Sequence, residues 1–142
     1  MTAAWAVAAA AVFVWLGMVV AISFIEAPLK FRAPGVTLQI GLGIGRLVFR
    51  ALNAAELVLV VVVVVALWLQ PPPGRVVGSV CVAAVALAIQ LLAVRPWLTR
   101  RSNTVLAGDS SPRRSHAHVV YVGLELIKVI ALACAGILLL AA

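Results

Sequence analysis

The stretch His118-Val-Val-Tyr121-Val-Gly-Leu-Glu125-Leu-Ile-Lys128 opens the last apolar segment of the chain. At about 100° per residue, its four polar side chains fall within one narrow arc of a helix. After Lys128 only residues 129–142 follow, roughly 21 Å of helix, whereas a bilayer core is about 30 Å thick. A spanning helix must therefore start near Tyr121, which places Glu125 and Lys128 inside the hydrocarbon. Charged residues at that depth are rare and costly, and they indicate a functional site.

The composition is that of a membrane protein. Of the 142 residues, 65% are hydrophobic, against about 45–50% in soluble domains, and the mean hydropathy is +1.22. The formal net charge is +7, but the basic residues lie between apolar segments, where the positive-inside rule accounts for them. We therefore expect one all-α membrane domain over residues 1–142 and no binding to nucleic acid.

Four apolar segments predict a bundle of four transmembrane helices. The predicted spans are residues 3–26, 46–69, 76–95 and 118–141. We expect an interfacial, partly helical linker over 29–45 and a cytoplasmic loop over 97–117. Gln70-Pro-Pro-Pro-Gly74 predicts a tight turn, because proline and glycine interrupt a helix. The glycine-rich stretch 35–45 has the spacing of neither a dinucleotide fingerprint nor a phosphate loop, so no nucleotide is expected there.

A faint internal duplication offers a second description of the bundle. Pro28-Leu-Lys-Phe-Arg32 follows the first predicted span, and Pro96-Trp-Leu-Thr-Arg100 follows the third. Each is followed by a linker and a helix that carries a glutamate. Two parallel hairpin repeats are therefore an alternative within the four-helix class.

Charge asymmetry predicts the orientation of the chain. The two long connections and their flanks carry most of the basic residues: Lys30, Arg32, Arg46, Arg50, Arg95, Arg100, Arg101, Arg113 and Arg114. Between the second and third spans the only basic residue is Arg75. The long connections are therefore expected in the cytoplasm and both termini outside it. The Ala-, Val- and Arg-rich composition favours the plasma membrane of a GC-rich bacterium.

In that topology, the polar residues of all four spans are expected to meet at the cytoplasmic end. The predicted catalytic or proton-exchanging residues are Glu56, Glu125, His118 and Tyr121, and the predicted ligand-binding residues are Glu26, Arg46, Arg50, Asn53, Gln90 and Lys128. Bundles build such sites from side chains of facing helices. A purely structural role stays open, because Glu125 and Lys128 could neutralise each other, and long basic side chains could reach the headgroups.

No metal or cofactor is expected at this site. The Glu-x-x-His motif of di-iron bundles is missing from the sequence, and the neighbouring basic side chains would repel a cation. Both histidines, His116 and His118, lie in one segment, which excludes a haem held by histidines of two helices. Cys81 and Cys134 are expected to act as small apolar residues, with a disulfide between them as the alternative.

Short motifs along the chain resemble a broad family of small bacterial four-helix integral membrane proteins. The motifs are Ile25-Glu-Ala-Pro28, Gly45-Arg46-Leu-Val-Phe49, Pro96 and His118-x-x-Tyr121-x-x-x-Glu125. That family carries a domain of unknown function and is related to a eukaryotic transmembrane protein linked to drug resistance. The resemblance implies a four-helix fold and no established activity.

The leading functional hypothesis is binding, with transport as one outcome, of a small anionic or amphipathic ligand at the polar cavity. One alternative is a membrane enzyme that uses Glu56 or Glu125 as acid and base on a lipid, isoprenoid or quinone. Another is an accessory subunit of a larger membrane complex. Membrane lipids are expected partners, and a homodimer is one expectation because four spans are few for a transporter.

Overall fold

The computed structural model describes residues 1–94, 100 and 116–142, and for 93, 94 and 116–118 it describes the backbone alone. The α-helices in these residues are α1 (Ala3–Val19), α2 (Ala27–Leu29), α3 (Leu38–Leu69), α4 (Gly74–Ile89) and α5 (His116–Ala141). Within this described part, four helical segments are long and apolar enough to cross a membrane, and we call them spans 1 to 4: Ala3–Arg32, Leu38–Leu69, Gly74–Leu92 and Val119–Ala141. The predicted all-α bundle of four apolar helices is confirmed.

Span 1 continues beyond its predicted end at Glu26, because the α-helix passes into a π-helical segment there and does not stop. The π-helical segment Val20–Glu26 links α1 to α2, and a 3-10 turn, Lys30–Arg32, follows. The Ala27 N–H donates to the carbonyl of Ile22, five residues back. Pro28 has no N–H to donate, and wider local hydrogen bonding of this kind lets a membrane helix accommodate a proline.

The second helix begins eight residues earlier than the predicted bound of 46, so the linker 29–45 is half helix. Thr37 caps it, since its hydroxyl accepts a hydrogen bond from the Ile40 N–H at 3.2 Å. Gly41 lies against the ring of Phe31, and Gly45 lies against the ammonium of Lys30. A Cβ atom at Gly41 would come within 2.2 Å of that ring. The glycines therefore allow the end of span 1 to pack closely on the helix, as small residues four apart do in membranes.

The spans pack in the spatial order 2, 1, 4, 3. Span 1 packs on spans 2 and 4, and span 4 packs on span 3. Spans 2 and 3 follow each other through the turn at Gln70 to Pro73, yet they share no comparable interface along their described length. The core is built of apolar side chains with many alanines, including Ala8, Val12, Trp15, Val63, Ala83, Leu87, Leu132, Ala135 and Leu139. One side of the bundle is therefore closed, and the seam between spans 2 and 3 is open.

The turn end of the bundle is fixed by Trp5. Its indole N–H donates to the carbonyl of Gln70, the residue that ends α3, at 2.9 Å. The start of span 1 and the end of span 2 therefore lie at the same end of the bundle, as a four-span chain requires. The expected cytoplasmic loop over 97–117 falls almost entirely outside the described residues.

Candidate functional site

A cluster of polar side chains occupies the interior of the apolar bundle. This interior cluster consists of Trp15, Ser23, Glu56, Gln90, Glu125 and Lys128. Ser23 is partly exposed, and each of the others is at most 1% exposed. All four spans contribute to the cluster, so it ties the whole bundle together.

Lys128 is the centre of the interior cluster. Its Nζ lies 2.5 Å from Oε1 of Glu56 in span 2 and 2.6 Å from Oε1 of Glu125 in its own span. The same Nζ donates to Oε1 of Gln90 in span 3 at 2.8 Å. An ammonium has three N–H donors, and here each faces a separate acceptor. A buried lysine in this position has its full hydrogen-bonding capacity met.

Both carboxylate oxygens of Glu125 accept hydrogen bonds. Gln90 donates through Nε2 to its Oε1 at 2.6 Å, in addition to the contact from Lys128. Ser23 of span 1 donates to its Oε2 at 2.7 Å. The amide of Gln90 is held in turn by a 3.4 Å hydrogen bond from Nε2 to the backbone carbonyl of Tyr121. Both oxygens of this carboxylate therefore have donors.

Glu56 is only half engaged. Its Oε1 accepts a 2.9 Å hydrogen bond from the Trp15 indole and also contacts Lys128. Its Oε2 is buried and has no hydrogen-bond partner among the residues described. The two glutamates of the cluster therefore differ, and only Glu56 has an acceptor atom to spare.

The helical register explains why these residues meet. Trp15, Glu56 and Lys128 each lie about 18–20 Å from the turn end of their span, at about 1.5 Å per residue. Ser23 lies within the first π-helical segment, and Gln90 begins the second, Gln90–Val94. Such wider turns change which side chains face the interior and recur at functional sites.

A groove opens between spans 2 and 3, where the bundle is not closed. It has a volume of about 520 Å³ and is lined by Arg46, Leu47, Arg50, Asn53, Ala54, Leu57 and Leu91. Both arginines are exposed, and neither forms a salt bridge with a side chain that the structure describes. The groove is therefore basic at one end and apolar along its walls.

Asn53 stands out among the groove residues because it is polar, buried and unpartnered. It is 4% exposed, and neither its Nδ2 nor its Oδ1 has a hydrogen-bond partner within the described part of the chain. Most buried polar side-chain atoms in proteins have a partner. An asparagine beside a groove with both amide groups unsatisfied is suited to bond a molecule that enters the groove, after a small movement of its side chain.

The structure separates residues that the sequence placed in one cavity. Glu56, Gln90, Glu125 and Lys128 do meet, and Glu125 faces the interior beside a cation as predicted. Arg46 and Arg50 form no salt bridge with these residues and line the groove instead. Both arginines share a face of α3 with Asn53, while Glu56 lies at the edge of that face and turns inward.

The remaining predicted residues lie apart from the interior cluster. Glu26 is paired with Lys30 at 3.6 Å, near the end of span 1. Tyr121 contributes its backbone carbonyl, and its ring packs edge-on against Phe49 at a centroid distance of 5.7 Å. His118 lies in the first turn of α5, and its side chain is outside the described part.

Trp15 and Ser23 are the cluster members that sequence reasoning missed. Span 1 carries no charge before Glu26, so nothing in its pattern marks an inward polar face. The available signal was Trp15 itself, because a tryptophan deep in a span needs a partner for its indole N–H. Ser23 gave no signal, since a serine can bond within its own helix.

Two other predictions concern the cysteines and metals. Cys81 and Cys134 are both exposed and free, so they form no disulfide with each other. Among the described residues, no group of three or more histidine, cysteine, aspartate and glutamate side chains is placed to hold a metal ion. The interior cluster itself contains the ion pairs of Lys128 with two glutamates and the hydrogen bonds around them.

Comparisons with protein-family models, with curated proteins and with solved structures give no match for this chain. The resemblance to the small bacterial four-helix family stays a prediction.

Proposed function

We propose that this protein binds an anionic amphipathic ligand, a lipid-like molecule with a phosphate or carboxylate headgroup, in the groove between spans 2 and 3. The observation that carries the proposal is the buried Asn53, whose donor and acceptor both lack a hydrogen-bond partner among the described residues and which lines the groove beside two exposed arginines. Arginine presents a planar fork of N–H donors that matches a phosphate or carboxylate. The headgroup would contact Arg46 and Arg50, and Asn53 would bond the next polar group of the ligand.

The depth of the groove fits a molecule that lies in one leaflet. Arg50 lies about 28 Å along the helix from Leu69, and Asn53 about 24 Å, at about 1.5 Å per residue. A hydrocarbon core about 30 Å thick that begins at Leu69 therefore ends close to Arg50. The headgroup would lie at the boundary, and its chain would run along Leu57 and Leu91 inside the core.

Access favours binding over acid–base chemistry. Neither Glu56 nor Glu125 is among the groove-lining residues, and both are at most 1% exposed. A general base must come within hydrogen-bond reach of its substrate. The groove, in contrast, is open to a ligand from the lipid side.

Native mass spectrometry of the detergent-solubilised protein tests this proposal. We expect retained phosphatidylglycerol and little retained phosphatidylcholine after mixing with each lipid. The double variant Arg46→Gln/Arg50→Gln should lower phosphatidylglycerol retention about tenfold or more, because a hydrogen bond to a charged group contributes about 1.5–3 kcal/mol and 1.4 kcal/mol is about tenfold.

Arg75→Gln is the matched control, because Arg75 lies beyond the turn at the opposite end of the bundle. It should retain phosphatidylglycerol as the parent protein does. Competition with inorganic phosphate separates a free anion from a lipid headgroup. Displacement of the lipid by millimolar phosphate would identify the soluble anion as the ligand, and equal retention of both lipids would refute the proposal.

We further propose that both termini are extracytoplasmic and that the membrane is a bacterial plasma membrane. The support is the excess of basic residues in the two long connections over the single Arg75 between spans 2 and 3. An alkaline-phosphatase fusion after Ala142 should be active in bacteria, and a fusion at Asp109 should be inactive. The reverse pattern would invert the orientation and put the groove in the outer leaflet.

A further inference from the structure

The interior cluster carries an unequal number of acids and bases. Glu56 and Glu125 both contact Lys128, and all three side chains are at most 1% exposed. With every group ionised, two carboxylates face one ammonium, and one negative charge stays uncompensated inside the bundle. An unpaired buried charge costs several kcal/mol, and in the hydrocarbon of a membrane such a charge is neutralised or paired.

No other described charged side chain faces the cluster to compensate that charge. From span 1 it meets Trp15 and Ser23, and from span 3 it meets Gln90. Span 4 supplies only Glu125 and Lys128 as charged groups, and from its start the ring of Tyr121 packs on Phe49. In span 2, Arg46 and Arg50 line the groove. Because no side chain in the described part of the chain supplies the compensating positive charge, a proton from the solvent is the simplest source of it.

The hydrogen bonds show which oxygen has room for a proton. Both oxygens of Glu125 accept from donors, and so does Oε1 of Glu56. Each Oε1 atom accepts from two donors, so a proton on either would displace one of them. Oε2 of Glu125 accepts a single hydrogen bond, from Ser23, and a proton there would share the oxygen with that hydroxyl. Oε2 of Glu56 has no donor among the described residues, so a proton there disturbs no existing bond.

We propose that the interior cluster is a binding site for one exchangeable proton, held on Oε2 of Glu56. The step is the addition of a solvent proton to the Glu56 carboxylate, which leaves Glu125 and Lys128 as a neutral ion pair. Asn53 connects the site to the groove, because it lines the groove one helical turn from Glu56 on α3 and its amide has no partner among the described residues. The proton site does not depend on a ligand in the groove.

Infrared spectroscopy of the protein in lipid nanodiscs tests the proposal. The parent protein should show the carbonyl stretch of a protonated carboxylic acid, and this band should shift after exchange into D2O. Glu56→Asp and Glu125→Asp both keep two carboxylates and one ammonium. The band frequency should change in Glu56→Asp and stay unchanged in Glu125→Asp, because only residue 56 holds the proton.

The number of charges in the cluster gives a second, independent expectation for the carboxylic-acid band. Glu125→Gln leaves one carboxylate opposite one ammonium, so the protonated-acid band should be lost. Glu26→Gln, which lies outside the cluster, should leave the band intact. Asn53→Leu should slow the D2O shift severalfold without removing the band, since it blocks the path from the groove.

Each of these outcomes bears on the proposal. Absence of an exchangeable carboxylic-acid band in the parent protein would overturn it without the need for any variant. A frequency change in Glu125→Asp alone would place the proton on the other glutamate and refute the assignment. Far-UV circular dichroism and size-exclusion chromatography of each variant show that the bundle is intact.

Discussion

The seam between spans 1 and 4 contains charged side chains that have partners, whereas the seam between spans 2 and 3 contains charged side chains that have none among the described residues. At the first seam, Ser23 bonds Glu125, the ring of Phe13 lies against Gly136, and alanines fill the contact. At the second, exposed arginines line a groove and find no acid among the described residues. The proposed hairpin repeats would make these two seams equivalent by position. The charges of the first seam have partners inside the protein, whereas the arginines of the second have no acidic partner among the described residues, and this difference is the basis of the proposed ligand site.

The largest loss of stability is expected when Lys128, the central cation of the interior cluster, is removed. Lys128→Met leaves Glu56 and Glu125 buried without their shared ammonium. We expect the free energy of unfolding, measured by SDS titration in mixed micelles, to fall by about 3–5 kcal/mol, the usual cost of breaking a buried ion pair from one side. Phosphatidylglycerol retention per folded molecule should change little, because the groove does not include Lys128.

The triple variant Glu56→Gln/Glu125→Gln/Lys128→Met removes every charge of the cluster together. It should recover most of the lost stability, since neutral replacement of a whole buried ion pair is often tolerated. If Lys128→Met alone unfolded at the same SDS fraction as the parent protein, the interior cluster would not hold the spans together.

At the groove between spans 2 and 3, we expect a substitution that raises the free energy of unfolding. Asn53→Leu removes a buried amide that has no partner in the described chain and puts a side chain of similar size in its place. An unsatisfied buried polar group costs about 1–3 kcal/mol, so the free energy of unfolding should rise by about 1 kcal/mol in the same titration. Lipid retention should fall, since the amide is lost.

A decrease in stability for Asn53→Leu would mean that the amide is satisfied in the apo protein. The groove would then lose the feature on which its assignment as a binding site rests.

Filling the groove should affect ligand binding and leave folding unchanged. Ala54 is exposed and lines the groove, so Ala54→Trp should occupy much of its volume and lower phosphatidylglycerol retention. Val58→Trp is the control, because Val58 is 63% exposed and is not a groove residue. Both variants should unfold within about 0.5 kcal/mol of the parent, as surface substitutions usually do. Equal loss of lipid in both would place the lipid on the general surface of the bundle.

The fold could be predicted from the sequence because the thickness of the bilayer fixes the length of the apolar helices that cross it. Runs of apolar residues close to 30 Å are sufficient to count the spans. The start of the second helix could not be predicted, because glycines at 41 and 45 indicate a linker when read alone. Their role depends on Phe31 and Lys30, which come from another span.

The candidate site could be predicted in part, for a similar reason. Glu125 and Lys128 lie within an apolar segment, which predicts that they are enclosed by the bundle, and their burial is confirmed. Helical spacing could not predict that Arg46 and Arg50 face the groove while Glu56 faces the interior. The three residues lie within one arc of α3, and the boundary between groove and interior runs through that arc. The order of packing, which leaves spans 2 and 3 apart, creates that boundary.

The spacing of Glu125 and Lys128 on one helix also bears on how the protein enters the membrane. They are three residues apart and already paired within span 4, so the last helix can leave the translocon as a nearly neutral segment. Insertion of a single central lysine or aspartate costs about 2.5–3.5 kcal/mol on the translocon scale, and the internal pair offsets part of that cost. Glu56 has no cation within three or four residues on span 2, and it is made long before Lys128. We therefore expect Glu56 to lack its counter-ion until span 4 has been made, and chains that stop short of span 4 to be the ones that quality control degrades.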